Sequence, residues 1–159
     1  ALIETYNDDL AGKLGNLVSR VFNQRFCDAA IPDSEKDYCQ ELDDSEGRLN
    51  DKVSDLYEQA AFPQIIELGV SALAAANRYI SQREPWQRLH DRPKLTSILN
   101  RVAQTVSVVN DALGPIIPST NETITRVLKQ YHTDRAGISR ALFPRILAAR
   151  SLDNSVTRQ

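Results

Sequence analysis

An all-α fold, an antiparallel bundle of four or five helices, is predicted for this 159-residue chain. Three observations point to it. Apolar residues recur at three- and four-residue steps over long stretches, the spacing that puts them on one face of a helix. Glycine is scarce, at six residues, and the prolines leave long uninterrupted spans between them. At 42% apolar content, a chain of this length can bury one core and is expected to form a single domain.

The first helix is predicted over roughly residues 2 to 24, where Ile3, Tyr6, Leu10, Leu14, Leu17, Val18, Val21 and Phe22 share a face. Gly15 lies inside it at a cost of about 1 kcal/mol relative to alanine, tolerable if another helix approaches closely there. The stretch "CDAAIPDSEKDYCQELDDSEG" follows, and its proline, Asp and Ser residues read as an acidic loop over about 27–45. A second helix is expected from Ser45, with Leu49, Val53, Leu56 and Tyr57 on one side. Pro63 interrupts it, and a helix restarting there would take the proline in its first turn. Ile65, Ile66, Leu68, Gly69, Ala72, Leu73 and Ala76 carry that run to about Ile80, with small residues that allow close helix packing.

The next element runs from about Asp91 to Leu113, with Pro93 near its start and Leu95, Ile98, Leu99, Val102, Val106, Val109 and Leu113 inward. Its β-branched "VAQTVSVV" permits a strand, but length and spacing favour a helix. "GPIIPSTNET" stops it and starts a shorter helix, capped by Ser119 or Thr120, with Ile124, Val127 and Leu128 inward. Toward the end, "ALFPRI" is expected to anchor the bundle, giving a domain over 1–146, and the tail 147–159 to fray. There is no internal repeat.

Several classes drop out. No run of 18 apolar residues exists, so no membrane span is expected. "ALIETYNDDL" lacks the basic and apolar parts of a signal peptide. The chain has no methionine, and either initiator removal or excision from a longer chain accounts for its start. Cys27 and Cys39 are read as half-buried thiols in a reducing compartment, with a disulfide as the alternative. With His90 and His132 far apart, the cysteines lack the paired spacing of a zinc site, and no metal is expected. No Gly-rich phosphate loop follows a strand, and no nucleophile, base and acid stand at a suggestive spacing. His90, beside Asp91 and Arg92, reads as the surface of a helix start.

Charge is divided unevenly. Residues 28 to 58 carry eleven acids against three bases, a net of −8, whereas residues 78 to 159 carry thirteen bases against six acids, a net of +7. Such a chain can turn a basic face to a polyanion, although two ordinary solvated surfaces would look the same. On the first helix, "GNLVSR" sets Asn16 and Arg20 at i and i+4, pointing the same way. The amide and the planar guanidinium together can read a base edge or the phosphate beside it, or merely decorate a solvent face. The only tryptophan, Trp86, follows a proline amid charged residues and offers a flat surface for an unstacked base.

"YNDDLAGKLGNLVSRV" at 6 to 21 and "ANRYISQREPWQ" at 76 to 87 resemble the two signature segments of the anticodon-binding domain of methionyl-tRNA synthetases, class I aminoacyl-tRNA synthetases. "LGPIIPSTNETI" at 113 to 124 and "LFPRI" at 142 to 146 resemble the later helix junction and closing segment of that family. The first-helix motif is shared with the leucine, isoleucine and valine enzymes; "ANRYI…EPW" is far more specific to the methionine enzyme. The resemblance implies that Asn16 and Arg20 contact the first base of a CAU anticodon, that Trp86 stacks on it, and that Pro85 directs the indole. It implies that Asn77 and Tyr79 tie the helix to its surroundings, Asn77 also being able to face the RNA. Arg78, Arg83 and Arg88 become candidate phosphate contacts, with solvated surface as the other reading.

By the same resemblance the parent is a methionine–tRNA ligase that charges tRNA using ATP and magnesium. The partners implied are methionine tRNA and an upstream catalytic domain of the same chain, not DNA or membrane, in the cytoplasm or mitochondrial matrix. No catalytic residue and no cofactor are expected within these 159 residues. Three features depart from the family: the acidic loop, expected to face away from the anticodon; Pro63, expected to kink a helix; and the absence of "HIGH" and "KMSK" type segments, from which the chain is expected to be a domain cut from a longer synthetase. A stand-alone helical interaction module, with the acidic loop as its contact surface, is the reading from another class. It gains if Trp86 is buried away from Asn16 and Arg20. The related domain of a leucine, isoleucine or valine enzyme is a third reading.

Overall fold

A computed structural model describes residues 2–22 and 36–133. Cys27, most of the acidic loop before residue 36, and the "ALFPRI" anchor and tail lie outside the described residues. Among the described residues the structure is helical throughout: α1 (Leu2–Val21), α2 (Gln40–Glu58), α3 (Phe62–Arg83), a 3₁₀ turn (Pro85–Gln87), α4 (Arg92–Leu113) and α5 (Pro118–Thr133). The all-α expectation holds.

Helix α4 is the axis. It packs against each of the other four helices, and fifteen of its 22 residues are buried, among them Leu95, Ile98, Leu99, Val102, Val106, Val109 and Leu113. Asp91 caps it by accepting from the Lys94 amide, and Pro93 sits in the first turn, where no intrahelical donor is lost. Cross-links show how the helices run. Asn110 of α4 bonds the backbone oxygen of Asn121 and Asn100 bonds Tyr131, so α4 and α5 are antiparallel. Arg101 reaches Asp43 and Glu46 while the Tyr57 hydroxyl donates to the Ala112 carbonyl, so α2 lies parallel to α4.

On α1, Leu10, Leu14, Leu17, Val18 and Val21 are at most 2% exposed and face α3, α4 and α5. Phe22 closes that end edge-on to Tyr131, with ring centroids 4.8 Å apart. Small residues serve close packing as expected. A side chain added at Gly69 of α3 would lie 2.7 Å from Leu113 Cδ1 of α4.

Three boundaries differ from the sequence reading. Helix α2 starts at Gln40, not Ser45, so the last six residues of the expected acidic loop are helix. Glu41 and Asp43 occupy its first turn, where negative charge offsets the helix dipole. Helix α5 starts at Pro118, and the Ile117 carbonyl takes its first bond from Asn121, so neither Ser119 nor Thr120 is the cap. Pro63 does not kink a helix. The chain breaks at Gln59 to Ala61, with Ala60 left-handed at φ 53°, and Pro63 falls in the first turn of α3.

Candidate nucleic-acid interface

The proposed site rests on the ends of two helices. Asn16 and Arg20 are exposed on α1 between the buried Leu14, Leu17, Val18 and Val21, so the helix that buries its apolar stripe carries both side chains outward. Arg20 meets α3 there: its guanidinium Nη1 donates to Asn77 Oδ1 at 2.8 Å. Asn77 is half-buried, and its amide donates in turn to the Leu73 carbonyl at 3.2 Å, which fixes which way its oxygen points. Residues 57 positions apart in sequence thus share one exposed hydrogen bond.

Beyond Asn77, α3 ends at Arg83. Glu84 takes a left-handed conformation at φ 49°, its amide still bonded to the Ile80 carbonyl, and the chain turns into Pro85–Trp86–Gln87. Pro85 is buried, whereas Trp86 is 40% exposed. The proline is packed into the body of the bundle and the adjoining indole is left at its surface. Trp86 therefore stands at an edge, as its polar neighbours implied, and is not a core residue.

The remaining predicted residues behave differently. Tyr79 is buried, and its hydroxyl donates to Asp37 at 2.8 Å; burial first, and the adjacent carboxylate second, push the phenol well above its ordinary range. Arg78 donates through Nε to Glu41 at 2.9 Å. Arg83 donates to Asp37 at 2.7 Å, and Arg88 donates to the Arg83 carbonyl at 3.0 Å. All three arginines read as phosphate contacts are thus committed to intramolecular partners, and phosphate binding at Arg78 or Arg83 would compete with a carboxylate.

The described end of the acidic segment packs against α3 and α4. Asp37 accepts from Tyr79 and Arg83 of α3 and from Lys94 of α4, the last at 3.0 Å. Burial alone would raise the Asp37 pKa, but the bonds from Arg83, Tyr79 and Lys94 and the Arg83 charge outweigh it and hold it at about 2. The sequence reading missed Asp37, and no local signal could have found it, since its partners lie 42 to 57 residues away. Deeper in, Arg101 joins Glu46, Thr105 and Asp43 in a clamp between α2 and α4, equally invisible in sequence. Among the described residues no three His, Cys, Asp or Glu side chains converge to hold a metal, and no helix is long and apolar enough to cross a membrane.

No protein-family model matches the chain. Individual relatives do. Over 125 residues, 77% of its length, the chain is 33% identical to the methionine–tRNA ligase of a Nocardioides species. The chain is a relative of the methionine–tRNA ligases. The ligase of Clostridium acetobutylicum is 30% identical over 129 residues and that of Bacillus cereus strain 03BB102 is 31% identical over 130 residues, covering 77% and 79% of this chain. The chain spans about a fifth of the length of these ligases, 20 to 23% in the three named. The match is thus to a part of each of these ligases.

Proposed function

We propose that the bundle recognises the CAU anticodon of methionine tRNA, as the non-catalytic domain of a methionine–tRNA ligase. The observation that carries this reading is the Arg20–Asn77 bond. It holds the guanidinium of Arg20, one turn on from the exposed Asn16, against Asn77 of α3, the helix that leads through buried Pro85 to exposed Trp86. A splayed-out cytosine needs both kinds of group: donors and an acceptor for its Watson–Crick edge, and a plane to lie on. Asn16, Arg20 and Asn77 supply the first, Trp86 the second. Cytosine differs from uracil at that edge, so the amide and guanidinium favour one base, whereas stacking is tolerant of all.

The parent enzyme in this reading joins methionine to tRNA with ATP and magnesium, both handled by an upstream catalytic domain, in the cytoplasm or mitochondrial matrix. The bundle contributes identity and placement of the tRNA. The interaction-module reading takes the acidic loop as its contact surface and gains if Trp86 is buried away from Asn16 and Arg20. Trp86 is exposed, and the described acids Asp37, Glu41, Asp43 and Glu46 are engaged within the molecule.

Alanine substitutions test the assignment by anisotropy of a labelled CAU stem-loop. Trp86→Ala removes a stacking plane worth about 1–3 kcal/mol per base, so binding should weaken about 5- to 150-fold with little loss of stability. Asn16→Ala and Arg20→Ala should weaken CAU more than a stem-loop with another first base. Equal affinity of wild type and all three variants for CAU refutes the site.

A further inference from the structure

We propose that Asp37 is a positioning residue for Trp86, bracing the turn between α3 and α4 so that the indole faces the incoming nucleotide. The inference rests on the reading of Trp86 as a base platform. Its starting point is strain. Glu84 is left-handed, a conformation costing about 1–2 kcal/mol for a residue with a Cβ, and it directly precedes a proline. Such a residue persists only where its surroundings over-determine it.

Asp37 supplies much of that constraint. Its carboxylate is the shared acceptor for Arg83, the last residue of α3, and for Lys94 in the first turn of α4, at 2.7 and 3.0 Å. A third bond comes from Tyr79 one turn before the helix end, and the Asp37 amide donates to the Ser97 carbonyl of α4 at 3.1 Å. One residue therefore grips both helices that flank the tryptophan turn. The turn is closed from the other side as well: Arg88 donates to the Arg83 carbonyl, the Gln87 amide to Glu84, and the Arg88 amide to Pro85. Arg83 is thus held at its side chain by Asp37 and at its carbonyl by Arg88, with the strained Glu84 next in the chain. With its side chain 13% exposed, Asp37 is little competed for by water. Without its charge, Arg83 and Lys94 face each other as like charges and the two helix ends lose their common anchor.

The position of an acidic segment beside an RNA site thereby has a structural reason. It also yields a test whose sign separates positioning from simple electrostatics. Removing a negative charge next to two cations should, by charge alone, strengthen binding of a polyanion. As a brace, Asp37 has the opposite effect: Asp37→Asn should bind the CAU stem-loop about 5-fold more weakly, through partial loss of stacking, and discriminate less well against GAU.

The experiment uses the 159-residue chain as wild type, Asp37→Asn, Lys94→Gln and, as a destabilised control, Leu49→Ala in the core of α2. Without RNA, the only tryptophan reports on the turn directly. Asp37→Asn should lower its anisotropy and raise its quenching by acrylamide about twofold, Lys94→Gln should do the same to a smaller degree, and Leu49→Ala should match wild type well below its unfolding range. Unchanged tryptophan signals in both brace variants overturn the proposal, as does a change of equal size in the control. Tighter CAU binding by Asp37→Asn also overturns it and makes Asp37 an electrostatic mask. A wild-type chain that binds neither stem-loop overturns the functional reading instead, and the RNA-free signals then decide the brace alone.

Discussion

Arg101→Met should be among the most damaging single changes outside the apolar core, and its size follows from the geometry of the clamp. The Arg101 side chain is 3% exposed and Glu46 8%, so their 2.7 Å ion pair is cut off from water, whereas Asp43 is 46% exposed and can rehydrate when its partner is lost. Glu46 would keep its neutral donors, Thr105 at 2.6 Å and Gln104 at 3.1 Å, but no cation. Breaking a buried pair from one side costs about 3–5 kcal/mol. Loss of the half-exposed Asp43 contact adds only about 0–1 kcal/mol. A loss of about 3–5 kcal/mol is therefore expected, a large share of the roughly 5–15 kcal/mol that holds a domain together.

Urea unfolding followed by circular dichroism measures it. The double variant Arg101→Met, Glu46→Leu should recover most of the loss, because apolar side chains of similar volume replace a buried ion pair at little net cost. A single-variant loss below about 1 kcal/mol, or a double variant no more stable than the single, would refute the argument that desolvation makes this clamp all-or-none.

Other outcomes follow from single residues. Ala60 is exposed and left-handed at φ 53°, so Ala60→Gly should stabilise by about 0.5–1 kcal/mol, the relieved backbone strain less the added chain entropy; a lower urea midpoint contradicts this. Asp37, at about 2 in the fold against an ordinary 3.8, contributes stability that is complete above about pH 5 and is lost as the pH falls through about 2, about 2 kcal/mol in all. Acid titration of Asp37→Asn should lack that component; an identical acid profile for the two proteins counts against it. The Arg126–Glu122 pair on α5 is about 70% exposed on each side, so Arg126→Ala should shift stability by less than about 0.5 kcal/mol.

Much of the architecture was legible in the chain. Regular 3–4 spacing from Leu95 to Leu113 marked α4, Asp91 and Pro93 marked its start, and Pro63 marked the restart of α3. Each is a local signal with a local cause. Helix α2 was read late because "QELDDSEG" is polar and Cys39 makes no side-chain cap, so nothing local announces Gln40 as a helix start. What stabilises the start of that helix is distant: Arg78 on Glu41 and Arg101 on Asp43 in the first turn, and Arg101 on Glu46 in the next. The site divides in the same way. Asn16, Arg20 and the exposure of Trp86 follow from helical spacing and from an indole set among charges. The Arg20–Asn77 bond, the engagement of Arg78 and Arg83, and the three-way grip of Asp37 depend on which helices become neighbours. Charge counts alone showed an acidic stretch and a basic one; among the described residues, Asp37, Glu41, Asp43 and Glu46 of the first pair with Arg78, Arg83, Lys94 and Arg101 of the second.

Trp86 permits the most direct test of anticodon recognition, because the only indole in the chain sits at the proposed site. Its fluorescence should be followed as the chain is titrated with CAU and GAU anticodon stem-loops at low and high salt. Quenching by CAU at much lower concentration than by GAU, with the preference surviving in high salt, is the predicted result. Equal quenching by both that vanishes in salt would leave only phosphate attraction, and no change with either RNA in the folded chain would contradict anticodon recognition altogether.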